Sequence, residues 1–368
     1  MAFWFLLIGA VLTLFAAGLL YISFRAAHFP AVQRLARGSR AWARLLCMLG
    51  FAALTALLWC VLNLMNAVVC FLHLVLFWMI CDLVAYVVSK IRHRAPMRHW
   101  AGAAALVLCV LWLAGGWVAD HKVWETDYTF TSPKVDREIR LVQISDSHIG
   151  ATFHADGFLR HIERINALRP DAVVVTGDFV DDDTSREDML TACRALGKTD
   201  TKYGVWFAYG NHDRGYYNRR EFSAEELAQA LTENRVHILE DEIAVMDDLC
   251  IVGRRDASAA HRAELAALLE TVDPEKYIIV LDHEPTDYEK EAATAADLVV
   301  SGHTHGGQLI PLGLVGELFA GNNRTYGYER RNGTDFLVTS GISNWALHFK
   351  TGTRSEYVIV DLIPSNER

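Results

Sequence analysis

The sequence predicts an α/β domain preceded by a bundle of about four transmembrane helices. Residues 1–120 carry nine Lys/Arg against two Asp/Glu and hold the long apolar runs, whereas residues 121–368 carry 26 against 42. The second part alternates short β-branched runs with helical patterns, which is typical of an α/β fold. We therefore expect a membrane region at 1–120, an extended linker at 121–138 and a globular domain at 139–368.

Each of the expected membrane spans has about the 20 apolar residues that cross a bilayer. The spans are 3–24, 45–62, 67–89 and 100–119. The second and third come from one long apolar run that breaks near Asn63 and Asn66. A cleaved signal peptide at the start is disfavoured, because no basic region precedes the first run and no small-residue cleavage site follows it.

Positive charges predict the orientation of the bundle. They lie in the loops after the first and third spans, at Arg25, Arg34, Arg37, Arg40, Arg44, Lys90, Arg92, Arg94 and Arg98. The turn between the second and third spans has none. By the positive-inside rule both basic loops are cytoplasmic. We therefore expect a multi-pass protein of the cell membrane whose globular domain lies on the extracytoplasmic side.

One carboxylate, Asp82, falls within the third span, where His73 also lies. An intramembrane carboxylate is costly and is a functional candidate by default. The alternative, which we favour, is that Asp82 caps a helix or pairs with a neighbour near one end of the bundle.

Charge and cysteine usage narrow the functions open to the globular part. Its acidic balance argues against nucleic-acid binding, which needs basic surface. Its two cysteines, Cys193 and Cys250, show no C-x-x-C spacing, so we expect buried apolar thiols and no thiolate metal site. A disulfide between them stays open at this point.

The globular part reads as alternating strands and helices. Strands are expected at 140–144, 172–175, 205–208, 236–239, 277–281 and 298–300, and helices at 155–168, 223–234 and 258–271. Polar clusters follow five of these strands, namely Asp146-Ser147-His148, Gly177-Asp178, Gly210-Asn211-His212-Asp213, His283 and Gly302-His303-Thr304-His305-Gly306. Strands of this kind place their polar ends along one edge of a sheet, so we expect the clusters to meet there.

The clusters offer a mixture of carboxylate, amide and imidazole donors. Such a mixture suits Mn²⁺, Fe or Zn²⁺ better than Ca²⁺. It is also larger than one ion needs, which suggests two ions side by side, an arrangement that cleaves phosphoesters. Asp181, Asp182 and Asp183 are expected to form a solvated loop instead of a further metal site.

The run D-x-H, G-D, G-N-H-D, H-x-P and G-H-x-H-G-G-Q, over about 139–362, resembles the calcineurin-like metallophosphoesterase superfamily. It is most similar to the branch whose catalytic domain follows N-terminal membrane or signal segments. The resemblance implies a four-layer α-β-β-α sandwich, in which two sheets pack face to face with helices outside. It also implies two metal ions at the sheet edge.

The resemblance further implies a role for each site residue. The first metal would be bound by Asp146, His148 and His305, and the second by Asn211, His283 and His303, with Asp178 bridging both. His212 would contact the scissile phosphate and assist the leaving oxygen, and Asp213 would orient its imidazole. Two adjacent divalent cations lower the pKa of a shared water, which makes hydroxide available as the nucleophile.

We therefore expect a membrane-bound phosphoesterase acting on phosphodiester, pyrophosphate or phosphomonoester bonds of a lipid-linked or extracytoplasmic substrate. Two alternatives stay open: a broad-specificity phosphatase that is merely anchored by its helices, and an inert membrane sensor. Two segments bear on specificity. Residues 309–320 are apolar and either enter the outer leaflet or pack inside, and residues 214–220 either contact substrate or form a solvated loop.

Overall fold

A computed structural model describes residues 2–93, 98–215, 220–319 and 321–365. Some residues that the sequence analysis singled out lie outside the described residues, namely Arg94, residues 216–219 and Ala320. The chain divides into two compact units, Met1–Gly115 and Gly116–Arg368. The division falls inside a helix, a few residues before the boundary expected at 120.

The first unit is helical. Its helices are α1 (Ala2–Ala26), α2 (Pro30–Leu35), α3 (Arg40–Val61), α4 (Leu64–Arg92) and α5 (Arg98–His121), the last of which continues into the second unit. Within the described residues, four of these helices are long and apolar enough to cross a membrane. The prediction of four spans is therefore confirmed. The short helix α2 lies in the first basic loop and was not expected.

Two polar features of this unit agree with the sequence. The Asn63 side chain accepts a hydrogen bond from the Asn66 amide at 2.8 Å, which caps α4 and explains the break between α3 and α4. Asp82 of α4 accepts hydrogen bonds from the Arg25 guanidinium and the Tyr21 hydroxyl of α1. The pairing expected for Asp82 is thus confirmed.

The second unit contains two six-stranded sheets. Its strands are β1 (Trp124–Ser132), β2 (Ile139–Ile144), β3 (Ala172–Thr176), β4 (Val205–Ala208), β5 (Val236–Ile238), β6 (Glu242–Val245), β7 (Leu249–Gly253), β8 (Tyr277–Leu281), β9 (Leu298–Ser301), β10 (Gly327–Arg331), β11 (Thr334–Val338) and β12 (Glu356–Pro364). One sheet has the order β1-β12-β2-β3-β4-β5 and the other β10-β11-β9-β8-β7-β6. Strands β2, β3 and β4 are mutually parallel, as are β7, β8 and β9.

Helices cover the outer faces of the two sheets. They are α6 (Ala155–Ala167), α7 (Arg186–Leu196) and α8 (Ala224–Glu233) on the first sheet, and α9 (Leu265–Leu269) and α10 (Tyr288–Glu291) on the second. A further helix, α11 (Leu312–Phe319), has no buried residue and belongs to neither layer. Strand β3 shows the layering: Val174 packs in the core between the sheets, whereas Val173 and Val175 pack with Phe158 of α6. A third core joins the second sheet to α9 and α10. The predicted four-layer α/β sandwich is confirmed.

The structure differs from the expectation in several elements. Residues 124–132, expected as part of a linker, form the edge strand β1 and pair with β12 along its whole length. The helix expected at 258–271 is reduced to Leu265–Leu269. Cys193 and Cys250 are free, buried thiols in different cores, so the disulfide left open by the sequence is not formed.

Candidate metal centre

The carboxyl ends of five strands bring the site residues together. Asp146 and His148 follow β2, Asp178 follows β3, and Asn211, His212 and Asp213 follow β4. His283 follows β8, and His303 and His305 follow β9. Because each sheet runs these strands in parallel, every cluster emerges at the same kind of edge, which is where α/β proteins place ligands.

Backbone hydrogen bonds join the loops to one another. The amide of Asp146 donates to the Gly177 carbonyl at 3.0 Å, and the amide of His148 donates to the Asp178 carbonyl at 3.0 Å. The amide of His303 donates to Oδ1 of Asp146 at 2.9 Å, which connects the edges of the two sheets. The site is therefore held by both sheets and not by one loop.

The side chains form two groups of potential metal ligands. Asp146, His148 and His305 present ligand atoms within 4.8 Å of one another, and so do Asp178, His283 and His303. Oδ1 of Asn211 joins the second group, 3.1 Å from Nε2 of His283 and 3.0 Å from Nδ1 of His303.

Asp178 lies between the two groups. Its Oδ2 is 3.3 Å from Nε2 of His283 and 3.6 Å from Nε2 of His148. Its Oδ1 accepts the backbone amide of His212 at 2.8 Å. One carboxylate oxygen therefore faces a histidine of each group, while the other oxygen fixes the rotation of the carboxylate.

The donor set fits divalent cations. Nε2 of His148 is buried and makes no hydrogen bond within the described residues, and a buried polar atom of this kind calls for an explanation. Nε2 of His305 lies 3.7 Å from Oδ1 of Asp146. This separation is too long for a hydrogen bond, but it suits two ligands that each reach about 2.0–2.2 Å to a shared ion.

Groups behind the histidines orient them. Nδ1 of His283 lies 2.7 Å from the Thr176 carbonyl, which leaves Nε2 to face Asp178. Oδ2 of Asp181 lies 3.4 Å from Nδ1 of His148. The contact behind His283 fixes the tautomer and direction of that imidazole, whereas Asp181 lies behind His148 at ion-pair distance. Asp181 and Asp182 are buried, so the expectation of a fully solvated loop there was wrong.

The backbone is strained at five of the site residues. Positive φ angles occur at Asp146 (54°), His148 (35°), Asp178 (51°), His303 (67°) and His305 (49°). Each such residue costs about 1–3 kcal/mol and persists only where the surroundings enforce it, commonly at functional sites. The backbone at position 210 lies so close to Asp178 that only glycine fits there. A Cβ at Gly210 would lie 2.4 Å from Oδ1 of Asp178.

Burial and the neighbouring carboxylates shift the pKa values of the site imidazoles in opposite directions. Burial opposes charge on Asp178, yet the imidazoles of His283, His148 and His212 hold the pKa of Asp178 well below its usual value. Against its own burial, His283 has a pKa raised well above normal, mainly by Asp178. Burial lowers the pKa of His303 to about 4 and the pKa of His305 well below normal. His303 and His305 are thus neutral, the form in which imidazole binds metals.

His212 lies outside both ligand groups. Its ring packs edge-to-face on the His148 ring, with centroids 5.0 Å apart, and its centroid lies 5.3 Å from that of Trp345. Burial lowers its pKa, so the imidazole is neutral near pH 7 and offers one N–H. This position is compatible with the expected contact to a substrate.

The carboxylate of Asp213 makes contacts that the sequence did not predict. Its carboxylate is fully buried and accepts four backbone amides at 2.8–3.1 Å, those of Asp178, Phe179, Val180 and Gly210. Burial and the nearby Asp178 carboxylate raise the pKa of Asp213 to about 7. Both oxygens tie the β3 loop to the β4 loop, so Asp213 braces the site, and its expected role in orienting the His212 ring stays a prediction.

The two segments expected to affect specificity are now located. Residues 312–319 form helix α11, whose large apolar side chains are exposed, so the buried alternative is wrong for them, although Leu309 is buried. In the segment 214–220, Arg214 pairs with Glu240, and Arg220 donates to the carbonyl of Asp213. Both described arginines therefore brace the loop that carries His212.

Comparisons with known proteins agree with this geometry. A family model described as calcineurin-like phosphoesterase matches residues 139–307. The chain is 28% identical over 235 residues to an uncharacterized metallophosphoesterase of Campylobacter jejuni, covering 62% of this chain and 60% of that protein. It is 31% identical over 234 residues to a transmembrane protein with metallophosphoesterase domain of Danio rerio, covering 59% and 52%.

A third relative matches over more of its own length. This uncharacterized metallophosphoesterase of Aquifex aeolicus is 30% identical over 195 residues, which cover 50% of this chain and 71% of that protein. In contrast, the chain spans only 60% and 52% of the relatives from Campylobacter jejuni and Danio rerio.

Proposed function

Since the chain belongs to the calcineurin-like phosphoesterase family, we propose that it is a membrane-bound, metal-dependent hydrolase of phosphoester bonds. The observation that carries the proposal is the Asp178 carboxylate, whose Oδ2 lies within 3.6 Å of a histidine from each ligand group. The catalytic domain comprises residues 139–368 together with strand β1, which completes its first sheet, and the membrane region comprises residues 1–120.

The donor set supports the proposed metal ligands. Asp146, His148 and His305 would hold one divalent cation, Asn211, His283 and His303 a second, and Asp178 would contact both. Mn, Fe and Zn are all compatible with these donors. Two such cations supply Lewis acidity and lower the pKa of a shared water.

The remaining chemistry falls to the protein's own groups. The neutral Asn211 and the imidazoles keep the number of carboxylates low, so that the site attracts an anionic phosphoester. The N–H of His212 donates a hydrogen bond to the leaving oxygen of the phosphoester and so assists the departure of that oxygen. Trp345 packs beside this imidazole, with the two ring centroids 5.3 Å apart.

The membrane region indicates which side of the membrane the catalytic domain faces and which class of substrate it meets there. The positive charge of the two basic loops supports a cytoplasmic position for these loops. The catalytic domain would then lie on the extracytoplasmic side. A substrate presented at that membrane face, including a lipid-linked phosphodiester, pyrophosphate or phosphomonoester, is the class that we propose. An enzyme fixed in the bilayer meets such molecules without diffusion through bulk water.

Activity is tested with full-length protein in lipid nanodiscs, loaded separately with Mn²⁺, Fe²⁺ or Zn²⁺ and given soluble and lipid-linked phosphoesters. We expect hydrolysis that Asp178→Asn and His212→Ala remove and that His154→Ala, a change at an exposed histidine away from the site, preserves. Turnover of wild-type protein no higher than that of Asp178→Asn on every substrate would overturn the proposal.

The orientation has its own test, which is independent of catalysis. Protease added to intact spheroplasts should digest the catalytic domain and leave a protected fragment of the membrane region. In inverted membrane vesicles the domain should survive until detergent is added. The reverse pattern would place the domain in the cytoplasm and refute this part of the proposal.

A further inference from the structure

Helix α11 exposes its large apolar side chains. Four of them, Leu312, Leu314, Leu318 and Phe319, are between 47% and 73% exposed, and Ile310, just before the helix, is 58% exposed. No described residue of the helix is buried. An exposed cluster of this kind on a domain surface marks an interaction site.

The side of α11 that contacts the domain consists of glycines. A Cβ built on Gly313 would lie 3.5 Å from the Gly306 carbonyl oxygen, and one built on Gly316 would lie 3.4 Å from Oγ1 of Thr325. A surface helix in water places its leucines against the core and its small or polar residues outside. Helix α11 does the opposite, as expected if its outer face is covered by an apolar medium.

The helix is held firmly in this orientation. The hydroxyl of Thr325 donates to the Gly313 carbonyl at 2.8 Å, and the amide of Thr325 donates to Oε1 of Glu317 at 2.8 Å. Both bonds come from the domain side of the helix. The exposed leucines are therefore presented by a fixed element and do not result from a frayed segment.

Hydrogen bonds connect this surface to the end of helix α5. The amide of Lys350 donates to the Gly116 carbonyl of α5 at 3.0 Å, and the amide of the next residue, Thr351, donates to the Gln308 carbonyl at 2.9 Å. The Thr351 hydroxyl then accepts the amide of Ile310 at 3.0 Å. The segment that leads into α11 is thus connected by hydrogen bonds to the end of a helix long and apolar enough to cross a membrane, which favours lipid as the covering medium.

The same surface leads to the metal centre. Helix α11 begins at Leu312, shortly after His305. The side-chain amide of Gln308 donates to the Trp345 carbonyl at 3.1 Å, and the partly exposed Trp345 ring packs near His212. Tryptophan is common at the boundary between lipid and water.

We propose that Ile310 and helix α11 form an interfacial helix that inserts into the leaflet from which α5 emerges, so that phosphoesters carried on membrane lipids reach the site directly. The insertion is inferred from the exposed apolar face and from its hydrogen-bonded connection to α5. The delivery of lipid-borne substrate rests, in addition, on the proposed phosphoesterase function.

Insertion is measured first, without reference to activity. Full-length protein in nanodiscs that contain a phospholipid with a photoreactive diazirine in its acyl chain is irradiated and digested, and labelled peptides are identified by mass spectrometry. We expect label on the peptide containing 309–319 and on the membrane spans, and none around Val245, an equally exposed apolar residue of β6. Absence of label from 309–319, or crosslinks there to a second copy of the chain, would overturn the proposal.

Delivery is measured as a ratio of turnovers. The substrates are a nitrophenyl phosphodiester in solution and the same nitrophenyl phosphodiester on a diacylglycerol in the nanodisc. In the double variant Leu314→Gln/Leu318→Gln, which keeps good helix formers, the ratio of lipid-borne to soluble turnover should fall at least about tenfold, since losing the burial of two leucines costs several kcal/mol of insertion. Val245→Gln should leave the ratio unchanged.

The outcomes separate the two proposals. An unchanged ratio in the double variant refutes delivery by α11. Hydrolysis of neither substrate by wild-type protein, with labelling of 309–319 intact, refutes a phosphodiesterase function of the site and leaves membrane insertion standing.

Discussion

Oδ2 of Asp178 lies 3.6 Å from Nε2 of His148, although the two residues come from different strand ends. The contact is fixed by a second one, because the amide of His148 donates to the Asp178 carbonyl. The loop after β2 therefore cannot shift without moving the loop after β3. This coupling makes the site sensitive to small changes at either loop.

The first prediction concerns the charge of Asp178. Asp178→Asn keeps the shape of the side chain but removes the negative charge that faces both histidine groups. Substituting a residue that only supports a metal ligand typically costs roughly 10–100-fold. We expect turnover to fall by more than this in Asp178→Asn, with a parallel loss of bound metal. Metal content by mass spectrometry and turnover by phosphate release test this. An active Asp178→Asn protein with full metal content would contradict the shared role of this carboxylate.

The second prediction concerns Asp181, which lies behind His148 at 3.4 Å. Asp181→Asn removes the charge that supports the imidazole. We expect a loss of about 10–100-fold in metal affinity, measured by titration with a metal indicator. Asp183→Asn, in an exposed residue of the same acidic run, should change affinity less than threefold. Equal effects of the two substitutions would show that Asp181 acts only through the general charge of the loop.

The third prediction distinguishes a brace from an orienting group at Asp213. An asparagine has one acceptor oxygen in place of two, so Asp213→Asn leaves some of the four backbone amides unsatisfied, at about 1–3 kcal/mol each. We expect a lower midpoint of thermal unfolding and an equal loss of turnover on substrates with good and poor leaving groups. A loss confined to poor leaving groups would instead indicate that Asp213 acts through His212.

The fourth prediction concerns the space around Gly302. A Cβ at this position would lie 1.9 Å from Oγ of Ser145 and 2.3 Å from Oδ2 of Asp146. Gly302→Ala must therefore displace Asp146, and we expect a loss of metal bound by the first ligand group. The control is Gly50→Ala, because a Cβ there meets no atom within 4 Å. Metal stoichiometry unchanged in Gly302→Ala would show that the loop absorbs the methyl group elsewhere.

The sequence predicted the positions of the site residues because strands and turns are local patterns. Each cluster after β2, β3, β4, β8 and β9 lies where its strand ends. Strand β1 was missed because it pairs with β12, more than 200 residues away along the chain, and such a pairing leaves no local signal. Its alternation of exposed and half-buried residues also resembles an extended linker.

Two side chains make contacts that the sequence did not indicate, for a related reason. Asp213 stands next to His212 in the sequence, which favours a direct partnership, but its carboxylate meets the amides of the β3 loop. Asp181 looked like one of three solvated acids until the fold buried it behind His148. Contacts between distant loops decide both roles, and a single sequence does not show them.

The last prediction concerns the ion pair of the membrane region. Arg25 of α1 donates to Asp82 of α4. Arg25→Gln or Asp82→Asn alone leaves an uncompensated charge within the bundle, whereas the double variant leaves none. We expect each single change to lower the midpoint of thermal unfolding in nanodiscs and the double variant to recover at least half of the loss, which corresponds to a coupling of about 0.5–3 kcal/mol. Arg34→Gln, at an exposed arginine of the same basic loop, should have little effect. If the losses from the two single variants simply add in the double variant, Arg25 and Asp82 act independently and the pair does not stabilise the bundle.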